Sequence, residues 1–382
     1  MPRKIRPLHV WAPGIRDDTG GIQAFSRFLV RALLEAFPEH PVRVMVRNEA
    51  LNADDPLLSI PRLKIHTMAG LVSGLRAPGL ALSGLFHGIK DRPACALTTH
   101  MHFLPPLHVL RSLTGTPFAG VLHGIEAWGH ISAIRRHALG EADQIFAVSR
   151  YTREKVITDH HVDSSRVRVL PNTFDESRYQ PGEKPLHLMQ RLGIQPGQKV
   201  MLTVSRLSAS ERYKGHDMVL RALAKLTQQA PDLCYIIAGE GEYKDTLRQM
   251  AAELGVADRV YFPGFIPSAE LPDYYRLCDL FIMPSTKEGF GIVFMEAMAA
   301  GKPVIGGNVD GSADALADGE LGVLVSPGDV EQIAREILRV LRCEHPNRLL
   351  YDAPSLRTAV CERFGWKAFV KNVSDIVKPL MR

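Results

Sequence analysis

The stretch Asp279–Ala300, DLFIM-PSTKEGFG-IVFMEAMAA, reads as strand, loop and helix in succession. Leu280 to Met283 is an unbroken apolar run, the pattern of a strand covered on both faces of a parallel sheet. Gly289 and Gly291 let the backbone turn tightly and approach a ligand closely. The helix from Ile292 to Ala300 then offers free amides and the positive end of its dipole to phosphate or sugar oxygens. Glu288 lies in the loop and Glu296 roughly a turn and a half into the helix, so both carboxylates can reach one pocket from different heights. Ligands of doubly wound α/β folds bind at the carboxyl ends of strands, which is where this motif falls.

The same alternation extends in both directions. Toward the N-terminus, strands are expected at Leu8–Ala12, Val42–Val46, Leu63–His66, Ala94–Thr99, Pro117–Leu122, Gln144–Val148 and Val167–Leu170. Helices are expected from about Gly21 to Ala36, Ile131 to Gly140 and Tyr151 to Asp159. Asn172 to Gln198 is rich in Pro, Gly, Glu and Gln and reads as a linker with one short helix. The alternation restarts at Lys199–Val204 and continues through Leu233–Ala238, Arg259–Phe262, Pro303–Ile305 and Gly322–Val325. Helix Val330–Leu341 carries Ile333, Ile337, Val340 and Leu341 at helical spacing. The chain is thus expected to hold two doubly wound, Rossmann-like parallel-sheet domains of α/β class. The boundaries are 1–175 and 176–361, with a C-terminal helix, 362–382, that packs back onto the first domain.

Three further loops carry chemistry. Ser205-Arg206 and Lys214-Gly215 follow the first strand of the second domain, and an Arg/Lys pair there neutralises a diphosphate without a metal. Ala238-Gly239-Glu240-Gly241 follows the next strand, but Lys244 stands where a dinucleotide fingerprint needs its last Gly, which disfavours a nicotinamide dehydrogenase. His123-Gly124-Ile125-Glu126 follows a strand of the first domain, and Gly20-Gly21 precedes its first helix. No DxD follows an apolar strand, no His/Cys cluster has metal-ligand spacing, and no G-x-S-x-G surrounds Ser149.

Charge is unevenly spread. The net charge of +5 splits into 21 Lys/Arg against 15 Asp/Glu over residues 1–175 and 25 against 26 thereafter. A basic first half suits an anionic partner, whether nucleic acid, an anionic membrane or a pyrophosphate-bearing lipid. The five scattered cysteines form no CxxC pair, which argues against a disulfide framework and for a reducing cytoplasm. The N-terminus, Met1-Pro2-Arg3-Lys4, lacks a signal-peptide pattern. Met68–Ile89 is apolar but broken by Arg76, Pro78 and several glycines. It reads as a loop followed by a half-buried helix, able to lie on a membrane but not to span one.

Taken together, Gly20-Gly21, His123-Gly124-x-Glu126, Leu170-Pro171-Asn172, Ser205-Arg206 with Lys214-Gly215, Ala238-Gly239-x-Gly241 and above all Glu288…Glu296 resemble the retaining glycosyltransferases of family 4. Their fold is GT-B, two Rossmann-like domains facing a cleft. The resemblance implies that Arg206 and Lys214 hold the donor diphosphate and that Glu296 accepts bonds from ribose hydroxyls. It places Glu288 and His123 at the transferred sugar, with Lys214 and Arg206 supporting the leaving group as the other catalytic residues. Backbone at Gly21, Gly239, Phe290, Gly291 and Ile292 completes the donor cradle. It implies no cofactor, metal or nucleic-acid partner. The second domain takes the nucleotide-sugar donor, with GDP-mannose the first expectation and UDP-glucose or UDP-N-acetylglucosamine the alternative. The first takes a saccharide or polyprenyl-diphosphate-linked acceptor, with the enzyme cytoplasmic and peripheral on an anionic membrane surface.

Two departures bear on the sugar and base preference: Pro171-Asn172-Thr173-Phe174-Asp175 replaces P-N-G-x-D, and Asp310-Gly311-Ser312-Ala313-Asp314 replaces G-G-x-P-E. Two other functions compete, a sugar-nucleotide epimerase on the same fold and a non-catalytic nucleotide-sugar-binding module. The joint presence of Arg206, Lys214, Glu288 and Glu296 weighs against the latter.

Overall fold

The computed structural model describes residues 5–16 and 20–381; Met1-Pro2-Arg3-Lys4 lies outside the described residues. Residues up to Thr173, together with those from Lys367 on, form one unit, and Phe174–Trp366 forms the other.

Seven strands build the sheet of the first unit: β1 (Leu8–Ala12), β2 (Val42–Val46), β3 (Leu63–Thr67), β4 (Cys95–Thr98), β5 (Phe118–Leu122), β6 (Gln144–Ala147) and β7 (Val167–Val169). Their order is β3-β2-β1-β4-β5-β6-β7, and each neighbouring pair is parallel. β1 sits inside the sheet and is buried along its whole length, as its apolar run requires. Edge strand β3 has no fully buried residue: Leu63, Ile65 and His66 are half-buried and Lys64 and Thr67 exposed. The direction of winding reverses between β1 and β4, which opens a crevice at their carboxyl ends.

The second unit repeats the plan with β8 (Lys199–Val204), β9 (Leu233–Ala238), β10 (Val260–Gly264), β11 (Leu280–Met283), β12 (Val304–Gly307) and β13 (Val323–Val325). The order is β10-β9-β8-β11-β12-β13, again parallel throughout, and the reversal falls between β8 and β11. Helix Val330–Leu341 buries Ile333, Ile337 and Val340 on the face that packs against helix His216–Lys225. Each such side chain taken from water stabilises by about 1.5–3 kcal/mol.

The Met68–Ile89 stretch is a short loop followed by a half-buried helix, as expected. One helix, Ser73–Asp91, runs through Pro78 without a break. Its buried residues are Leu80, Gly84 and Gly88, four apart on one face. A Cβ on Gly84 would strike the indole of Trp11, and one on Gly88 would meet Leu110 Cδ1 at 2.5 Å. The glycines therefore bring this helix close to the sheet and to helix Leu104–Thr114, which was not expected. Val72, Leu75, Leu82, Phe86 and Ile89 are left exposed. Among the described residues no helix is long and apolar enough to cross a membrane.

Helix Trp366–Val377 buries Phe369, Val373 and Val377. Phe369 lies edge-on to Phe25 with ring centroids 5.7 Å apart. All five cysteines are free thiols.

Candidate active site

In the second unit the loops after β8 and β11 meet at the reversal of strand order. The amide of Thr286 donates to the carbonyl of Tyr213 at 2.9 Å, joining the two loops through the backbone. Lys214 Nζ lies 3.0 Å from Glu288 Oε2, joining them again through charge. Gly215, at φ +79°, makes the turn possible, since a Cβ there would sit 2.5 Å from the carbonyl oxygen of Pro284. His216 follows, buried, with Nε2 2.9 Å from Ser205 Oγ. Burial, with the Lys214 charge nearby, pushes its pKa down to about 3, so it is a neutral strut.

Glu211 is the residue that sequence reasoning missed here. Its carboxylate is buried and pairs with Arg206 and, at 3.8 Å, with Lys214. Two cations and two carboxylates thus form one cluster: Arg206, Lys214, Glu211 and Glu288. Burial lowers the proton affinity of Lys214, but Glu288, Tyr213 and Glu211 outweigh it and the ammonium stays charged. The Arg206 side chain is 82% exposed, so its guanidinium can swing from Glu211 onto a ligand. Its place between Arg206 and Lys214 is the one sequence signal that could have marked Glu211.

Glu288 is fixed from behind by Asp310. Asp310 Oδ2 accepts from the Glu288 amide at 2.7 Å and from Ser285 Oγ at 2.7 Å, while Oδ1 accepts from the Ser312 amide at 2.9 Å. Burial pushes the Asp310 pKa up, and those bonds only partly offset it. Gly311 closes the same turn, its amide donating to the Glu288 carbonyl at 2.9 Å. The departure at Asp310–Asp314 therefore builds a clamp on the Glu288 loop.

Gly291 opens helix Ile292–Ala299 at φ +91° with no side-chain cap. A Cβ would meet Phe294 Cδ2 at 2.5 Å, so only glycine fits. The amides of Ile292 and Val293 precede the first intrahelical acceptor and face outward along the axis, whereas the Phe294 amide donates to the Gly291 carbonyl at 3.1 Å. Phe290 is buried edge-on to Phe364, 5.4 Å between centroids, and anchors the loop.

Glu296 engages a different set of partners from Glu288. Its oxygens accept from Tyr179 Oη at 2.9 Å and Tyr275 Oη at 2.7 Å. Burial raises its pKa despite these two bonds. Arg357 braces this corner through the carbonyls of Tyr179, Glu176 and Ala299. Gly239, at φ +144°, serves the packing of loops: a Cβ there would run into the Ser205 carbonyl.

In the first unit the reversal between β1 and β4 is lined by Gly20-Gly21 and by Thr99 to His102. Helix Gly21–Ala36 begins without a side-chain cap or an acidic residue in its first turn. His123, after β5, donates from Nε2 to the Thr99 carbonyl at 3.0 Å, which leaves Nδ1 as an acceptor. Burial pushes its pKa down to about 4. Phe25 lies edge-on to its ring at 4.9 Å, and Phe369 backs Phe25, so the C-terminal helix helps hold His123 in place.

Two cations and uncapped helix amides at a strand reversal are the equipment for holding a diphosphate. Comparison with known proteins agrees. Residues 187–355 match the sequence model of Glycosyl transferases group 1, and residues 19–178 match that of Glycosyltransferase Family 4. A D-inositol 3-phosphate glycosyltransferase of Acidothermus cellulolyticus is 30% identical over 355 residues, 88% of this chain and 76% of that protein. A GDP-mannose-dependent alpha-(1-6)-phosphatidylinositol monomannoside mannosyltransferase of Mycolicibacterium smegmatis is 35% identical over 227 residues. That match takes in 56% of this chain and spans 58% of the relative's length. Among solved structures, Anabaena Alr3699/HepE in complex with UDP superposes with a TM-score of 0.78 at 21% identity, covering 98% of this chain and 100% of that one. Sucrose-phosphate synthase of Thermosynechococcus elongatus gives 0.77 at 22% identity, covering 98% and 99%.

Proposed function

The chain belongs to glycosyltransferase family 4, the glycosyl transferases group 1, with the GT-B fold, and from that premise we propose that it moves a hexose from a nucleotide diphosphate sugar to a hydroxyl acceptor with retention of configuration. The observation that carries this reading is the Lys214–Glu288 pair beside the uncapped helix at Gly291, set at the reversal between β8 and β11.

In the proposed step the bond from the anomeric carbon to the diphosphate breaks. The bond to the acceptor oxygen forms on the same face, and the acceptor proton passes to the departing diphosphate. Lys214, Arg206 and the first-turn amides of Ile292–Ala299 take up the charge that develops on the leaving group. Arg206 leaves Glu211 to do so. No divalent ion is required, because these groups carry the compensating charge. Glu296, held by two tyrosines, accepts bonds from the ribose hydroxyls through its remaining lone pairs. Glu288 and Nδ1 of His123 accept from hydroxyls of the sugar.

GDP-mannose is the proposed donor, supported by the mannosyltransferase likeness, and UDP-glucose is the alternative. The acceptor is a saccharide or a lipid-linked saccharide, bound by the first unit. The exposed apolar face of helix Ser73–Asp91, with Lys90 in its last turn, supports work at an anionic membrane surface on the cytoplasmic side.

Melting curves with GDP, UDP, ADP and their sugars test the donor. A nucleotide at a hundred times its dissociation constant stabilises by about 2.7 kcal/mol. GDP should raise the melting temperature most, and no response to any nucleotide would end the proposal. Product analysis with and without acceptor separates transfer from epimerisation.

A further inference from the structure

Glu211 is a buried carboxylate to which the proposed step gives no task. It lies in the turn Ala209–Lys214, and that turn is tied down along its length. Glu242 accepts from the Ala209 amide at 2.9 Å and from Ser208 Oγ at 3.1 Å. The Glu211 amide donates to the Ser208 carbonyl at 2.9 Å. Arg212 lies over the Tyr243 ring, 4.9 Å from its centroid, and the Tyr213 carbonyl accepts from the Thr286 amide at 2.9 Å. The Glu211 side chain, 8% exposed, cannot leave its place without unmaking this turn. Arg206 is the opposite. Its side chain is exposed, and among the described residues Glu211 is the one partner of its guanidinium.

Glu211 bridges the two cations, with Oε1 on Arg206 and Oε2 3.8 Å from Lys214 Nζ. Lys214 also meets Glu288 Oε2 at 3.0 Å. Two positive and two negative side chains leave the cluster without net charge. A diphosphate entering it finds both cations already neutralised, and one carboxylate already bridging them. Some group has to give way. The Glu288 loop is held through its amide by Asp310, and Glu211 is held by its turn. Arg206 is the group free to move.

Resting on the transferase reading above, we propose that Glu211 is a positioning residue that acts through Arg206. It holds the guanidinium at the site while the diphosphate is absent, competes with the diphosphate for it, and so selects nucleoside diphosphates over monophosphates. A diphosphate has two anionic groups. It can keep one on Lys214 and draw Arg206 with the other through bidentate contacts. A monophosphate has one group and must replace the carboxylate at both cations at once. The same contest loosens the leaving nucleotide, because Glu211 recaptures Arg206 as the diphosphate departs.

Calorimetry with GDP, GMP, UDP and UMP tests this, with melting curves to check the fold. Glu211→Gln keeps the size of the side chain and removes its charge. It should bind the nucleoside diphosphate about three- to tenfold more tightly than the parent. The matching monophosphate should gain by a larger factor, so the preference for two phosphates narrows. Inhibition of turnover by the nucleoside diphosphate should strengthen in parallel. A merely structural role would give the reverse, weaker binding with a lower melting temperature. Glu211→Asp draws the carboxylate back by one methylene and should shift affinity in the same direction by less, which decides the matter if the glutamine variant does not fold. In an Arg206→Ala background, Glu211→Gln should lose most of its gain. The proposal is overturned if the Glu211 variants bind the diphosphate no more tightly than the parent, or if the gain persists in full without Arg206. A parent that binds neither GDP nor UDP, or a Lys214→Ala variant that binds them as the parent does, overturns the donor reading and this proposal with it. The two failures are distinct, since the first leaves nucleotide binding by the parent and its loss in Lys214→Ala intact.

Discussion

The ammonium of Lys214 lies 3.0 Å from the carboxylate of Glu288, and each belongs to a different strand-end loop of the second unit. The pair therefore fixes the two loops to each other, and it keeps a charged lysine in a half-buried place. Lys214→Ala should lower kcat by about two orders of magnitude or more, as removal of a charge partner of the transition state does. The helix after it starts at His216 and is capped by Gly215, so the fold should persist. Steady-state kinetics beside a far-ultraviolet spectrum check this. Near-normal turnover in a folded variant would show that the diphosphate binds elsewhere.

Glu296 gives a prediction of opposite sign for stability. Its folded pKa is raised above the ordinary 4.5, chiefly by burial. The folded state thus binds this proton more tightly than the unfolded chain does. The contribution to stability is full below that ordinary value and is lost as pH rises through the folded one. Glu296→Gln removes the charge while keeping partners for Tyr179 and Tyr275. The variant should melt above the parent at pH 7, with the gap closing toward pH 4.5, while its affinity for nucleotide falls. A lower melting temperature at both pH values would contradict this.

The alternation of apolar runs placed both sheets, and the Glu288–Glu296 spacing placed the loop after β11 and the start of its helix, because strands buried on both faces leave a continuous apolar signature. Helix Ser73–Asp91 was legible only in part. Gly84 and Gly88 take its buried face, so Leu82 and Phe86 point outward and the usual inference from hydrophobicity to burial runs backward. Glu211 and Asp310 were illegible for another reason. Each acts by closing a contact with a distant loop, and a single acidic residue in a polar loop carries no periodic signal. Tyr179 lies 117 positions from the carboxylate it supports, a pairing set by tertiary packing alone.

Acid should loosen the protein in a defined window. Burial holds His9 and His123 at about 4 and His216 at about 3. These residues are neutral when folded, whereas the unfolded chain takes up protons as pH falls below the ordinary 6.5. Stability is therefore complete above that value and is lost as pH drops toward the folded values. Each such histidine withdraws on the order of a few kcal/mol. Urea midpoints at pH 7.5 and 5 should differ clearly, and His216→Gln should shrink the difference. Identical midpoints in the parent would refute the neutral-strut assignment.

Turnover should survive excess EDTA. The reason lies in the charge inventory: in the proposed step, Arg206, Lys214 and the amides after Gly291 compensate the departing diphosphate. Chelated enzyme assayed beside enzyme supplied with magnesium or manganese gives the answer. Activity that disappears with EDTA and returns with either ion would require a metal on the diphosphate.

The exposed side of helix Ser73–Asp91 yields the last prediction. Leu82 is 70% exposed and Phe86 63%, on the face opposite Leu80, Gly84 and Gly88. Side chains this exposed add little to the folded core, so Leu82→Ser with Phe86→Ser should leave the melting temperature within about 1 °C or raise it slightly. The same residues suit shallow insertion among lipid headgroups, where Lys90 and Arg92 at the helix end add attraction of about 1 kcal/mol each on an anionic surface. Binding to anionic vesicles should therefore weaken with salt, because the charge component is screened, and should fall sharply in the double serine variant. Neutral vesicles should bind neither protein well. Flotation of the serine variant at the level of the parent, at low salt, would place the membrane contact on another face. No flotation of the parent on anionic vesicles would leave the apolar face to some other partner and remove membrane docking from the proposed function.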